Sequence, residues 1–315
     1  MKKRTAFTMI ELVMVIVVLG IVASIGAEIV AKLYENYLRT RAINQLQSQT
    51  EITLEQIAKR LQFRIKDSVR ASNDNGANWR ALPSAIAGYN IIEWIGISNE
   101  SFLGEWDGVS VVPGWSGLID MDDAANTNLA ARTLSTPGSR LDFASNTIKA
   151  LTYGQIAMDG TGTTAQLPAL IFKATKPLYT VNNYYTQGGG NYTVRVSRST
   201  NTRFVIANND NLTDFNGDGS GDLFEQYYLS HTAYALVPVG GANDFNLTLR
   251  YNYQPWEGEA YDDAAVIAAG QTLAEHVSTF RIRQDGDVVR IKLCIHDNNQ
   301  SGNFDFSACK EKVIY

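Results

Sequence analysis

The twelve residues from Asp214 to Glu225, DFNGDGSGDLFE, set oxygen donors at alternate positions around a glycine. They satisfy D-x-[DN]-x-[DN]-G-x5-E, the spacing of a calcium-binding loop, at every position. Calcium takes six to eight hard oxygen ligands at about 2.3–2.6 Å, and a glycine lets the chain turn sharply between them. In this arrangement Asp214, Asn216 and Asp218 supply side-chain oxygens and Gly219 makes the turn. Ser220 offers its carbonyl, Asp222 binds directly or through water, and Glu225 closes the shell with both carboxylate oxygens. The ligand number favours calcium over magnesium, which keeps several waters and demands a stricter geometry. The competing reading is an acidic, glycine-rich surface turn that binds nothing, although four carboxylates this close repel one another without a cation.

A weaker copy follows at 297–305, where Asp297, Asn299, Ser301, Asn303 and Asp305 alternate around Gly302. Its twelfth position is Ala308 in place of an acid, so a plain Asn/Gly turn is an equal alternative. The only two cysteines, Cys294 and Cys309, bracket it. They lack the Cys-x-x-Cys spacing of a redox dithiol, and outside the cytoplasm two cysteines in one chain pair. A structural disulfide is therefore expected, contributing about 3 kcal/mol on the loop-entropy account. His231, His276 and His296 are scattered and show no metal-ligand spacing. There is no Gly-x-Ser-x-Gly, no Gly-Lys phosphate loop and no glycine fingerprint after a strand, so nothing points to an enzyme.

These candidate sites need a scaffold, and the chain from residue 80 onward reads as β. Short apolar runs at 89–97, 147–153, 169–173, 192–197 and 203–207 lie between Gly-, Asn- and Ser-rich connections. The segment 246–253 alternates, which puts Leu247, Leu249, Tyr251 and Tyr253 on one face. Asp285-Gly286 separates two alternating stretches and favours a two-residue hairpin turn. Residues 100–190 read as long and irregular, with QGGGN at 187–191 as a flexible stretch. The flanks of the acidic loop read as strand or loop, and Gly221 stands where calcium loops set between helices usually have an aliphatic residue. The expectation is a calcium loop set into a β-rich domain, where the ion orders the chain.

Upstream, Leu54, Ile57, Leu61, Ile65 and Val69 recur every three or four residues, with Lys59, Arg60, Arg64, Lys66 and Asp67 between them. That is an amphipathic helix. With no proline from Glu28 to Val69, the spacing predicts one helix from Phe7 to Val69, ended by RASNDNGANW at 70–79.

The N-terminus carries Lys2, Lys3 and Arg4, then Glu11, then the uncharged run Leu12–Ala27. A secretory signal has a basic start and a small-residue cleavage site, which Gly26-Ala27 would fit only weakly. A plain membrane anchor needs roughly 20 apolar residues. Glu11 suits neither, because a carboxylate in lipid costs on the order of 2.5–3.5 kcal/mol and persists where it has a partner. No Lys or Arg lies within the next two helical turns, so the partner is expected from outside the segment.

The stretch AFTMIELVMVIVVLGIVA closely resembles the class III signal of type IV prepilins and type II secretion pseudopilins. The resemblance covers about the first 30 residues. It implies cleavage by prepilin peptidase between Ala6 and Phe7, methylation of the Phe7 amine, and a role for Glu11 in pairing with a neighbouring subunit's N-terminus. Ala6 stands where the family usually has Gly, and Glu28 where many major pilins have a helix-kinking proline. The implied fold is α+β and pilin-like, a long helix packed on an antiparallel β-rich domain. The implied organisation is a leader at 1–6, a transmembrane and assembly half at 7–28, an amphipathic half at 29–70, and a periplasmic domain with calcium-type loops at 71–315. The implied place is the inner membrane, crossed once. Cleavage would take Lys plus Arg from 27 to 24 against 32 Asp plus Glu, and the net charge from −5 to −8, which disfavours nucleic acid as a partner. The large size and the segment LAEHVSTFRIRQDGDVVRIKL resemble large minor pilins and J-type minor pseudopilins. The implied function is a minor subunit that initiates or caps a pilus or pseudopilus; a filament-tip adhesin contacting a surface, glycan or DNA through residues 100–190 is the alternative.

Overall fold

The computed structural model describes residues 8–73, 76, 78–86, 88–159, 166–173, 181–186, 193–212, 214, 218–297 and 306–315. Helix α1 spans Met9–Gln62, about 80 Å at 1.5 Å per residue. Its N-terminal part stands clear of the protein, with Met9, Leu12, Ile16, Leu19, Ile25, Leu33 and Leu38 all exposed. From Leu46 onward one face is buried through Thr50, Leu54, Ile57, Ala58 and Leu61. The helix stops at Gln62, seven residues short of the end that its apolar spacing predicts. Ile65 and Val69 are buried as expected but lie beyond it, because the chain turns at Phe63 and a 3₁₀ turn occupies Lys66–Ser68.

The connection expected at 70–79 is part of a sheet. Strands β1 (Arg70–Asn73) and β2 (Asn78–Ala81) pair antiparallel, and β1 pairs in turn with β3 (Ile91–Gly96). A buried ion pair fixes that second seam. Arg70 Nε donates to Glu93 at 2.6 Å, and the Tyr253 hydroxyl donates to the other carboxylate oxygen at 2.7 Å. Burial raises the Glu93 carboxyl pKa despite these partners. The guanidinium carbon lies over two rings, 4.0 Å from the centroid of Trp79 and 3.5 Å from that of Tyr185.

Residues 100–190 carry more regular structure than their composition suggests. They hold α2 (Asn99–Phe102), a small hairpin of β4 (Glu105–Trp106) and β5 (Val111–Val112), β6 (Thr133–Ser135), α3 (Leu141–Leu151) and β7 (Ala169–Phe172). The run 147–153, expected as a strand, is the end of α3 and the turn after it. Leu141, Ala144, Ser145 and Ile148 form the buried face of that helix. Strands β8 (Thr193–Thr200), β9 (Arg203–Ile206) and β10 (Tyr227–Ser230) complete a five-stranded antiparallel sheet in the order β10-β7-β8-β9-β6. The stretch 187–191 lies outside the described residues.

The larger sheet is built by β11 (Thr232–Gly241), β12 (Asp244–Tyr253), β13 (Gln271–Asp285), β14 (Val288–His296) and β15 (Ser307–Ile314), with β3, β1 and β2 at its far edge. All its pairings are antiparallel. The β13–β14 turn sits one residue later than the sequence suggests. Asp285 pairs with Val288, leaving Gly286-Asp287 as the loop, with Gly286 at φ +59°. A positive φ at the first loop residue suits the twist of a hairpin.

The large sheet has apolar groups on both faces. Leu236, Leu247, Leu249, Val277, Ile291 and Leu293 meet Leu54, Ile57 and Leu61 of α1. The other face meets the five-stranded sheet through Ile95, Ala169, Ile171, Ala233, Ala235 and Trp256. Tyr253 belongs to this second face, apart from Leu247 and Leu249, because β12 breaks its alternation at Asn252, which has φ +58°. The fold is thus α+β, a long helix on an antiparallel β domain.

Candidate functional site

Glu11 lies in the first turn of α1 with Thr8 as N-cap. Its carboxylate accepts from the Thr8 backbone N–H at 3.1 Å and from the Thr8 hydroxyl at 3.0 Å. The two residues thus form a capping box, satisfying donors that the helix start leaves open. Among the described residues, Glu11 thus has hydrogen-bond partners three residues away and no positive charge as a partner. Ala6 and Phe7, the expected cleavage site, lie outside the described residues. Of the described helices, α1 is long and apolar enough to cross a membrane, and its most apolar window buries nothing.

The acidic loop is held at both ends. Before it, Arg195 on β8 grips the buried Asp210, and Nη1 of Arg195 reaches Glu257 at 2.8 Å. The hydrogen bonds to Asp210 come first in raising the Arg195 pKa, with Glu257 adding to them. Arg132 adds donors to the carbonyls of Ala207 and Asp210. At its far end, Leu223 and Phe224 pack against the core of the smaller sheet, and the Ile119 N–H donates to the Glu225 carbonyl at 2.7 Å.

Within the loop, Gly219 has φ +87°, and its N–H donates to the Asp214 carboxylate at 2.8 Å. The Ser220 N–H donates to the Asp218 carboxylate at the same distance. Gly221, the departure from the usual pattern, has a local reason. A Cβ there would sit 2.6 Å from the Leu212 Cβ and 3.0 Å from the Leu212 carbonyl oxygen. Leu212 itself packs on the core, so position 221 has room only for glycine.

The donors suit a hard cation: carboxylates, a backbone carbonyl and a turn glycine in the conformation the loop needs. No three of the carboxylates of Asp214, Asp218, Asp222 and Glu225 come within 4.8 Å of one another. Asn216 lies outside the described residues, as do Asn299, Ser301, Asn303 and Asp305 of the second loop. Of that loop Asp297 is described, and its N–H donates to the Phe306 carbonyl at 2.9 Å.

Cys294 and Cys309 form a disulfide across the directly paired strands β14 and β15. That confirms the pairing expected from the cysteine count.

The histidines contradict their scattered look in sequence. Among the described residues, one group of His, Cys, Asp or Glu has its ligand atoms gathered closely enough for a metal, and it is Asp244, His276 and His296. The third histidine, His231, is buried and contacts the Ser98 hydroxyl at 2.8 Å through Nδ1. Burial lowers its pKa to about 4. Sequence reading missed the cluster because its members meet through sheet register. No local spacing could have revealed it.

Residues 1–27 match the family model of the prokaryotic N-terminal methylation motif. No curated protein and no solved structure matches the chain. The motif implies processing by prepilin peptidase and assembly with other pilin subunits, and with the apolar helix it fits a membrane-anchored subunit. The N-terminal segment, the motif and the long helix that carries it, is thus that of a type IV prepilin-like protein.

Proposed function

We propose that the protein is a minor pilin or minor pseudopilin, which initiates or caps a filament anchored in the inner membrane with its β domain in the periplasm. One observation carries this reading: from Leu12 to Ala27 the helix is exposed throughout and carries no charged residue. No such surface persists in water, and the protein's own domain does not cover it. Lipid covers it before assembly, and neighbouring helices cover it afterwards. Size supports the minor role, since 315 residues with two packed sheets make a bulky unit to repeat along a shaft. Calcium, in this reading, orders residues 214–225 once the domain has left the cytoplasm.

The test has two parts. Intact-mass analysis of membrane-extracted protein should give an N-terminus at methylated Phe7. A start at Met1 or near Ala27 would sink the pilin reading. Gold-labelled antibody to the β domain should then mark filament ends; label spread along the shaft would leave the subunit pilin-like but overturn the minor role.

The adhesin reading draws support from the hairpin β4–β5. It presents Trp106, Val109 and Val111 to solvent beside an exposed Leu103. Under that reading, shaving this hairpin should abolish surface attachment while filament number stays normal.

A further inference from the structure

We propose that Asp244, His276 and His296 bind one divalent transition-metal ion of the zinc class, at a site separate from the acidic loop. The three residues come from three neighbouring strands of the large sheet: Asp244 opens β12, His276 lies on β13 and His296 ends β14. Asp244 Oδ1 lies 3.1 Å from His276 Nδ1 and 3.8 Å from His296 Nε2. Zinc bonds to nitrogen and oxygen of about 2.0–2.2 Å in a tetrahedron put ligand atoms about 3.4 Å apart. These two separations bracket that value, and all three ligand atoms lie within 4.8 Å of one another. The imidazole rings stand 5.7 Å apart at 70°, edge to face.

The backbone is shaped to bring them there. Phe245 pairs with Val277, but Leu247 pairs with Ala274, so Glu275 and His276 together face a single residue of β12. This bulge places His276 at φ +54°. A bulge of this kind re-aims a side chain, and here it turns His276 toward Asp244. On the other side Val277 pairs with Ile295, so His276 and His296 each lie one residue beyond a directly opposed pair.

The chemistry separates this site from the calcium-type loop. Two imidazoles with one carboxylate suit zinc, nickel or copper, whereas calcium wants an all-oxygen shell. Three protein ligands leave a fourth position for water or an external group. Bound there, the ion clips three adjacent strands at the end of the sheet where the disulfide of Cys294 joins the fourth.

The test uses the untagged full chain in detergent, stripped with chelator and titrated with zinc alone. We expect one zinc per chain, retained through gel filtration and counted by elemental analysis. Even partners that only touch a ligand are worth about 10–100-fold in metal affinity, so His296→Gln and His276→Asn should each weaken zinc binding by about 100-fold or more. Asparagine at 276 tolerates the left-handed backbone, which protects the bulge. Asp218→Ala should bind zinc as the wild type does. Cobalt in place of zinc should give visible absorption bands that both histidine variants lose, with circular dichroism confirming that they are folded. Failure of the wild type to retain zinc overturns the proposal. So does unchanged zinc affinity in the folded histidine variants, which would leave the three side chains a hydrogen-bonded cluster. Either outcome leaves the pilin reading intact, since that rests on the N-terminal helix.

Discussion

Arg195 clasps Asp210 along its whole polar edge. Nε lies 3.0 and 3.1 Å from the two carboxylate oxygens and Nη2 lies 2.7 Å from one of them, while the Arg195 backbone N–H donates to the other at 2.6 Å. Asp210 is 3 % exposed and lies four residues before the first acid of the loop. The clasp therefore sets where that loop begins. Asp210→Ala leaves a mostly buried guanidinium with Glu257 alone. We expect a loss of about 3 kcal/mol in unfolding free energy, measured by denaturant titration, since breaking a buried pair strands its partner. A loss below about 1 kcal/mol would mean that water or Glu257 takes over the charge.

Glu11 caps its own helix through Thr8, yet still brings a negative charge to the apolar segment. If its task is only capping, Glu11→Gln should behave like the wild type, because a glutamine completes the same box. If its task is pairing with a neighbour's amine, Glu11→Gln and Glu11→Ala should both stay in the membrane and both vanish from sheared filaments. We expect the second outcome, and immunoblots of the two fractions decide it.

Calcium should raise stability by RT ln(1 + [L]/Kd), about 2.7 kcal/mol with the ion at a hundred times its Kd. The full chain in detergent should therefore melt higher in calcium than in chelator. Asp218→Ala, which deletes a charged donor beside Gly219, should remove most of that increment. A melting temperature indifferent to chelator would reduce 214–225 to an acidic turn.

His231 gives the fold an acid-sensitive point. Its folded pKa of about 4 lies below the 6.5 of a free imidazole, so between these values the unfolded chain binds a proton that the folded chain does not. Stability is then lost as pH falls from about 6.5 toward 4, at up to about 1.4 kcal/mol per unit. His231→Asn should remove that part of the slope. The difference between wild-type and variant stability, followed by unfolding from pH 7 to 4.5, reads it without interference from the carboxylates common to both. Parallel curves would show that His231 is protonated as easily in the fold as out of it.

What could be read from the sequence was local. The basic start, Glu11 and the apolar run lie within one stretch, and so do the alternation of 246–251 and the twelve loop positions. What escaped depended on contacts between distant residues or on single backbone angles. Residues 147–153 looked like a strand because the buried seam of α3 begins upstream at Leu141. Tyr253 left its expected face because Asn252 takes a positive φ. The helix ended early because Ile65 and Val69 are buried as well from a turn as from a helix. Asp244, His276 and His296 span more than 50 residues and meet only through register and one bulge. Gly221, odd by pattern, makes sense once Leu212 is seen against it.

The bridge between Cys294 and Cys309 has a mechanical consequence. Helix α1 lies mostly against β15, where Lys310 and Lys312 pair with Glu51 and Glu55. A pull along the helix axis thus reaches the domain first at an edge strand, which backbone hydrogen bonds tie to one neighbour only. Such a strand is the easiest part of a sheet to unzip under tension. The disulfide joins it to β14, so the load crosses into the body of the sheet through a covalent bond, and the last strand cannot be peeled away while that bond holds.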